Sequence, residues 1–336
     1  MPDAGYGCEM PEESEILPAF RIRIRHPASD SPLINTVYSL FAVCYSSRMS
    51  ESHAALLALL DLEPLEVNIY RGQNRDLGTG RVFGGQVFAQ ALVAARRTVE
   101  GDREAHSAHG YFILPGDLKA PIVYFVDRLR DGNSFTTRRV TAIQHGQAIF
   151  NLSASFHIKE EGFSHQPAMP VVPDPETLSS ELSLIREMAD QIPEALRAVV
   201  TQDRPIDFRP VSPIDQLNPA PRDPTRQVWF RVIETLPPEP LLHQAILSYA
   251  SDYGLLTTAL QPHGIGYRTR GLQLASLDHS VWLHRPFRAD EWLLYSMDSP
   301  VMTGARGFVR GSIYSRSGDL VASVAQEGLL RLRKPK

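Results

Sequence analysis

Two apolar segments with helical periodicity stand out along the chain. The first, residues 83–99, has apolar side chains at positions i, i+1, i+4, i+5 and i+8 (Val87, Phe88, Ala91, Leu92 and Ala95). The second, residues 241–256, has a similar stripe (Leu242, Ala245, Ile246, Tyr249 and Tyr253) and begins after a proline, which suits the first position of a helix. The first segment is apolar on nearly every side, which predicts a helix surrounded by other elements.

Strand-like segments follow each of these helices. Residues 121–130, 134–144 and 147–158 follow the first helix, and residues 291–299, 306–315 and 320–333 follow the second. They alternate apolar and polar side chains, are rich in β-branched residues and are separated by short turns that contain glycine. This pattern predicts an antiparallel meander in each half of the chain.

Two stretches of the sequence are nearly repeated. AHSAHGYFILPG covers residues 105–116 and LASLDHSVWLHRPF covers residues 274–287, so that His109 and His279 are 170 residues apart. The hairpin glycines Gly146 and Gly318 are 172 residues apart, and this near-constant offset indicates a tandem duplication. We therefore predict an α+β fold, a double hotdog, in which each antiparallel sheet wraps around one long helix. The alternative is a pair of unrelated α+β sandwiches.

The pattern also predicts the domain organisation. Residues 1–48 lack sustained periodicity and are expected to be a disordered extension before Met49, although a secretory signal within them is conceivable. Residues 49–165 and 226–336 would form the two hotdog domains. Residues 166–225 hold 11 of the 26 prolines and one helical piece, and are predicted to be a Pro-rich linker with a short helix.

Composition excludes several classes of function. The net charge of −4 is spread over mixed acids and bases, with no basic patch for nucleic acid and no apolar run long enough to span a membrane. Both cysteines, Cys8 and Cys44, precede the body of the chain, which excludes a cysteine nucleophile, a thiolate metal site and disulfides there. This usage fits a cytoplasmic location. The motifs of serine hydrolases, zinc proteases, P-loops and dinucleotide folds are not found.

Three polar residues interrupt the apolar pattern of the second half. Asp252 lies three residues after the stripe position Tyr249, and the first helix has no acid. Gln326 alternates in phase with apolar residues of the last strand, and Ser276 opens the repeated stretch. Together they could orient a water molecule and remove its proton. Each residue also has a purely structural alternative. Asp252 would then serve a helix end, Gln326 would be a hydrogen-bonded amide in the core, and Ser276 would be a turn residue. The repeated histidines and His106 are expected to be structural.

Long phrases of the chain resemble the acyl-CoA thioesterase II family, the TesB-type double-hotdog enzymes. They include RGQNRDLGTGRVFGGQVFAQAL, YASDYGLL, LDHSVWLHRPF and ARGFVRGSIYSRSGDLVASVAQEGLLR, and the resemblance covers residues 49–333. It implies hydrolysis of medium- to long-chain acyl-CoA, without metal or cofactor, by Asp252, Ser276 and Gln326. The family commonly has threonine in place of Ser276, so the rotamer of this serine is less restrained.

The resemblance also carries expectations about mechanism and assembly. Water would attack the thioester carbonyl directly, and backbone N–H groups around Gly84 and Gly85 would stabilise the oxyanion. Family members form dimers or tetramers of double hotdogs. The chain ends in RKPK rather than a peroxisomal tripeptide, which favours a bacterial-type cytoplasmic protein. The alternatives are a hotdog 2-enoyl-CoA hydratase and a non-catalytic acyl-CoA-binding protein.

Overall fold

The described residues of the first half form two helices and six strands. A computed structural model describes residues 49–333 apart from 79, 216–217 and 267–268. The elements of this half are α1 (Glu51–Leu60), β1 (Glu63–Glu66), β2 (Ile69–Gly72), α2 (Gly84–Arg96), β3 (Glu104–Phe112), β4 (Ile122–Asp131), β5 (Phe135–Gln144) and β6 (Gln147–His157). Strands β4 to β6 agree with the predicted meander to within one residue at each end. The predicted extension, residues 1–48, lies outside the described residues.

The second half contains the other long helix. Its elements are β8 (Thr225–Val232), α5 (Pro240–Ser251), β9 (Leu272–Ser276), β10 (Asp278–Leu283), β11 (Leu293–Thr303), β12 (Arg306–Ser315) and β13 (Leu320–Leu332). The prediction that this helix reaches residue 256 is wrong, because α5 ends at Ser251. Gly254 follows with φ of +73°, a left-handed conformation that ends a helix, and a 3-10 helix then covers Leu256–His263.

The segment between the halves is more ordered than a linker. It contains α3 (Glu181–Glu187), α4 (Glu194–Val200) and the strand β7 (Ile206–Pro210), so the single short helix predicted here is incomplete. Upstream, Met169, Val172 and Leu178 cover an apolar cluster on the second half that includes Trp229 and Trp292. Because the indole of Trp229 also donates to the carbonyl of Pro173 (3.0 Å), this part of the segment is held on the domain surface.

All described strands join one antiparallel sheet. Their order is β1-β2-β4-β5-β6-β3-β10-β13-β12-β11-β8-β7, with β9 beside β13. The two nearly repeated stretches are β3 and β10, and they pair with each other where the halves meet, with His279 opposite Gly110 and Ser280 opposite His109. The described residues thus belong to one compact unit, and the domain boundaries given above stay predictions.

The two long helices pack against each other inside the curved sheet. Phe88 and Leu92 of α2 and Ile246 of α5 are fully buried in one apolar core that spans both halves. The helices approach closely at Gly85, where an added Cβ would lie 2.4 Å from the carbonyl oxygen of Tyr249. The beginning of α2 therefore meets the end of α5, and this junction positions the candidate site. No helix in the described part is long and apolar enough to cross a membrane.

Candidate active site

Asp252 lies at the end of α5 and points at the beginning of α2. It is the C-cap residue of α5, and its Oδ2 accepts a hydrogen bond of 2.8 Å from the backbone N–H of Gly85. The carboxylate is partly buried. The N-terminus of a helix carries unpaired N–H groups and a partial positive charge, so α2 stabilises an anion here. Asp252 therefore serves a helix end and also contributes a carboxylate to a shared site.

Gln326 connects Asp252 to Ser276. Its side chain is fully buried on β13, in phase with Ala322 and Val324 as the alternation predicted. Its Nε2 donates to Asp252 Oδ1 (2.7 Å) and to Ser276 Oγ (3.1 Å). Both amide hydrogens are thereby used, and no described residue donates to its Oε1.

Ser276 is the last residue of β9, whose pairing with β13 places Ser276 opposite Gly328. Because Ser276 Oγ accepts from Gln326, its own proton is left available for donation to a bound group. The three predicted residues thus come from a helix end and two strands, far apart in the sequence, and share one hydrogen-bonded cluster.

Gly84 and Gly85 lie where neighbouring groups approach too closely for a side chain. A Cβ on Gly84 would lie 2.8 Å from Asp252 Oδ2 and 2.9 Å from the ring of Phe112. These glycines were predicted to stabilise an oxyanion, but in the structure the Gly85 N–H donates to Asp252. The direct contact between Gly85 and Asp252 was not predicted, because sequence periodicity does not specify how the two helices pack.

Comparison with known proteins identifies the family of this chain. The family model described as acyl-CoA thioesterase matches residues 200–329, and the model for the acyl-CoA thioesterase N-terminal domain matches residues 74–157. Acyl-CoA thioesterase 2 of Haemophilus influenzae is 40% identical over 283 residues, which cover 84% of this chain and 99% of that protein. The chain belongs to the acyl-CoA thioesterase family.

Other relatives of this thioesterase show the same likeness. Acyl-coenzyme A thioesterase 8 of Mus musculus is 40% identical over 82% of this chain and 88% of its own length. The crystal structure of acyl-CoA thioesterase II TesB2 from Mycobacterium marinum matches with a TM-score of 0.69. Its sequence is 43% identical, and the match covers 84% of this chain and 99% of that chain. A hot dog fold protein from Alicyclobacillus acidocaldarius, 21% identical over 83% of this chain and 99% of its own with a TM-score of 0.65, shares the fold. The predicted double hotdog is confirmed.

The buried histidine next to the site of this thioesterase supports the end of α5. His279 Nε2 lies 2.8 Å from the hydroxyl of Ser251, and its ring packs edge-on against Phe88 with centroids 5.1 Å apart. Burial lowers the pKa of His279, with a smaller opposing effect from Asp252, so the ring is held neutral. Asp278 accepts from the backbone N–H of Glu327 (2.7 Å). The Asp278 carboxylate therefore binds the backbone and does not form an imidazole–carboxylate pair with His279.

The other two singled-out histidines lie on the first-half strand β3. His109 packs against Trp282 with centroids 4.9 Å apart, and the ring of His106 lies 2.8 Å from Ser155 Oγ. These contacts agree with the structural roles expected for both. Among the described residues, no group of three or more His, Cys, Asp or Glu side chains is arranged to hold a metal ion.

Two cavities in the described part of the protein are lined by residues of the second half and of the connecting segment. One of about 20 Å³ is lined by residues that include Thr257 and Gly264, and one of about 170 Å³ by residues that include Glu181, Arg204 and Phe208. Asp252, Ser276 and Gln326 line neither of these cavities.

Proposed function

We propose that this chain hydrolyses fatty acyl-CoA thioesters to free fatty acid and CoA, with water attacking the carbonyl directly. The observation that carries the proposal is the cluster of Asp252, Gln326 and Ser276 at the beginning of α2. Membership of the acyl-CoA thioesterase family supports the same reaction. A preference for medium to long acyl chains is the expectation from the sequence.

The contacts suggest a role for each side chain. Both oxygens of Asp252 accept from N–H donors, so the group is arranged as a carboxylate that can act as a general base. It would take one proton from water while the water oxygen bonds to the carbonyl carbon. The C–S bond then breaks and CoA leaves as a thiolate, which can receive the proton from Asp252.

Ser276 and Gln326 would orient the reactants. The hydroxyl of Ser276 can donate to the attacking water or to the thioester oxygen while it is fixed by Gln326. Gln326 in turn fixes Asp252 relative to Ser276, so that the base and the hydroxyl keep one geometry. Positioning of this kind removes much of the entropic barrier to a bimolecular attack. The N–H of Gly84 remains a proposed oxyanion donor, whereas the N–H of Gly85 is engaged by Asp252.

The first prediction concerns Asp252→Asn. The amide oxygen can still accept from Gly85, but the NH2 group then faces the donor Gln326 Nε2 and the side chain can no longer take a proton, so kcat should fall about 10²- to 10⁴-fold. The melting temperature should fall only slightly. The assay measures thiol release by the full chain from octanoyl-, dodecanoyl- and palmitoyl-CoA with EDTA present, which also tests chain length and the expectation that no metal is needed.

Other results, from this assay and from two further measurements, would favour different mechanisms or functions. Equal turnover by Asp252→Asn and the unmodified chain would exclude the base mechanism. Binding of acyl-CoA without thiol release would favour a non-catalytic binding protein. Hydration of crotonyl-CoA, followed by loss of its ultraviolet absorbance, would favour the 2-enoyl-CoA hydratase.

We infer in addition that the protein is cytoplasmic and forms homodimers or homotetramers. Both inferences rest on resemblance to the thioesterase family. Light scattering coupled to size exclusion tests the assembly: a monomer at micromolar concentration would exclude it. Fractionation of cells that express the tagged full chain tests the location.

A further inference from the structure

The residue after Asp252 is anchored by the segment that connects the two halves. The hydroxyl of Tyr253 donates to Glu181 Oε1 (2.7 Å) and accepts from Arg204 Nη1 (2.6 Å). Glu181 begins helix α3 and Arg204 lies just before strand β7. Neither residue belongs to the strands or helices that supply the site. The contact therefore links the connecting segment to the end of α5.

The ring and backbone of the same turn have further contacts. Tyr253 stacks on Phe208 of β7, with ring centroids 4.4 Å apart and planes inclined by 24°. Arg226 Nη1 donates to the carbonyl of Gly254 (3.3 Å), and its Nη2 lies 3.5 Å from Glu181 Oε2. Glu181 thus meets the turn twice, once through Tyr253 and once through Arg226.

These charged groups are partly protected from water. The side chains of Glu181, Arg204 and Arg226 are 23%, 24% and 11% exposed. Hydrogen bonds with one charged partner at this depth are stronger than exposed surface ion pairs, which contribute little. The network can therefore restrict the motion of the turn that follows α5.

Asp252 has few backbone constraints of its own. As the C-cap of α5, its N–H bonds only to the carbonyl of Ala250, and Gly254 imposes a change of direction two residues later. By contrast, Gln326 and Ser276 are fixed by pairing between strands. Asp252 is thus the member of the cluster whose backbone lies outside the sheet, and a displacement of about 1 Å can cost ~10²-fold in rate.

We propose that Glu181 and Arg204 are positioning residues for the reaction, and that they act by fixing the Tyr253 hydroxyl and, through it, the Asp252 carboxylate. This inference rests on the proposed function. It gives the connecting segment a part in catalysis beyond joining the halves. Neither residue touches the reacting atoms, so each acts only through the turn.

The second prediction tests this with Tyr253→Phe, which keeps the ring on Phe208 and removes the hydroxyl. We expect kcat to fall about tenfold with KM nearly unchanged, because the base is misplaced while the rest of the site is intact. Tyr124→Phe is the matched control. Its buried hydroxyl donates to Gln90 Oε1 (2.6 Å) in the first-half core, so it should lower the melting temperature similarly and leave kcat unchanged.

A double-mutant cycle separates positioning from general loss of stability. Glu181→Ala and Tyr253→Phe break the same contact, so the double variant should lose no more kcat than the more affected single variant. Glu181→Gln still offers an oxygen to the hydroxyl and should recover part of the loss seen in Glu181→Ala. Additive losses, or full kcat in Tyr253→Phe, would overturn the proposal.

Hydrogen–deuterium exchange provides a readout that does not depend on hydrolysis. Peptides covering residues 247–256 should exchange severalfold faster in Tyr253→Phe and Glu181→Ala, and at the wild-type rate in Tyr124→Phe. Unchanged exchange would overturn the proposal even if the chain showed no thioesterase activity. Conversely, an active wild type with an inactive Asp252→Asn and a fully active Tyr253→Phe would overturn only the positioning role.

Discussion

At the scale of single residues, Gln326 determines how the cluster is arranged. The sequence suggested an amide that holds a water molecule by donating and accepting at once. In the structure its two N–H donors go to Asp252 and Ser276. The polar functions left for a bound group include the hydroxyl proton of Ser276, the remaining lone pairs of Asp252 and Gln326 Oε1, to which no described residue donates. A buried amide is well suited to this because it carries no charge to desolvate.

The third prediction concerns Ser276. Ser276→Ala removes the hydroxyl that orients water or carbonyl, and kcat should fall about 10²-fold. Ser276→Thr keeps the hydroxyl and restricts its rotamer, so it should retain wild-type kcat within a fewfold. Steady-state thiol release measures both. If the alanine variant is as active as the threonine variant, the hydroxyl has no part in the reaction.

At the scale of elements, the site depends on how closely α2 approaches α5. Gly85 is the second residue of α2, and glycine in a helix interior is normally about 1 kcal/mol less favourable than alanine. A Cβ there would meet the Tyr249 carbonyl oxygen at 2.4 Å and the Phe83 ring at 2.6 Å. The carbonyl is backbone and cannot move aside alone, so a side chain would push the two helices apart.

The fourth prediction follows from this contact. Gly85→Ala should lower the free energy of unfolding by about 1–3 kcal/mol, against the usual sign for a helical position, and should reduce kcat because the Gly85 N–H moves away from Asp252. Gly162→Ala is the control, since no atom lies within 4 Å of its added Cβ. Urea denaturation and thiol release measure the two effects. A stabilised Gly85→Ala protein would contradict the close packing.

At the scale of the whole molecule, several histidines are buried in the body of the fold. His53, His243 and His279 are each nearly or fully inaccessible. Burial is the main cause that lowers the pKa of each of them, in part opposed by neighbouring carboxylates. The folded protein therefore holds these rings neutral at pH values where the unfolded chain binds protons.

The fifth prediction is a loss of stability in mild acid. Because the pKa of each of these histidines is lowered in the folded state, the unfolded chain binds more protons at pH values below its own histidine pKa of about 6.5. The free energy of unfolding is therefore highest above that pH and decreases as the pH falls. The slope should approach about 1.4 kcal/mol per pH unit for each such histidine. Urea denaturation between pH 7 and 5.5 measures it. His243→Gln should reduce the slope, and a flat dependence would show that these rings are free to ionise.

How far the fold could be predicted varied from element to element. Strands β4 to β6 were located to within one residue because alternation and glycine turns are local signals. The end of α5 was missed, since the apolar stripe continues through Tyr253 and Leu256 while the chain already turns at Gly254. Strand β7 was missed because five residues among prolines give too short a pattern.

The sequence by itself determined the duplication, the two core helices and the three polar residues in the second half, because these are matters of spacing and of side-chain chemistry. Only the tertiary structure decided which groups meet. The pairing of β3 with β10, the Gly85 N–H donated to Asp252 and the Glu181–Tyr253 contact join residues distant in the chain. Such contacts depend on the packing of preformed elements, and no local pattern in the sequence encodes them.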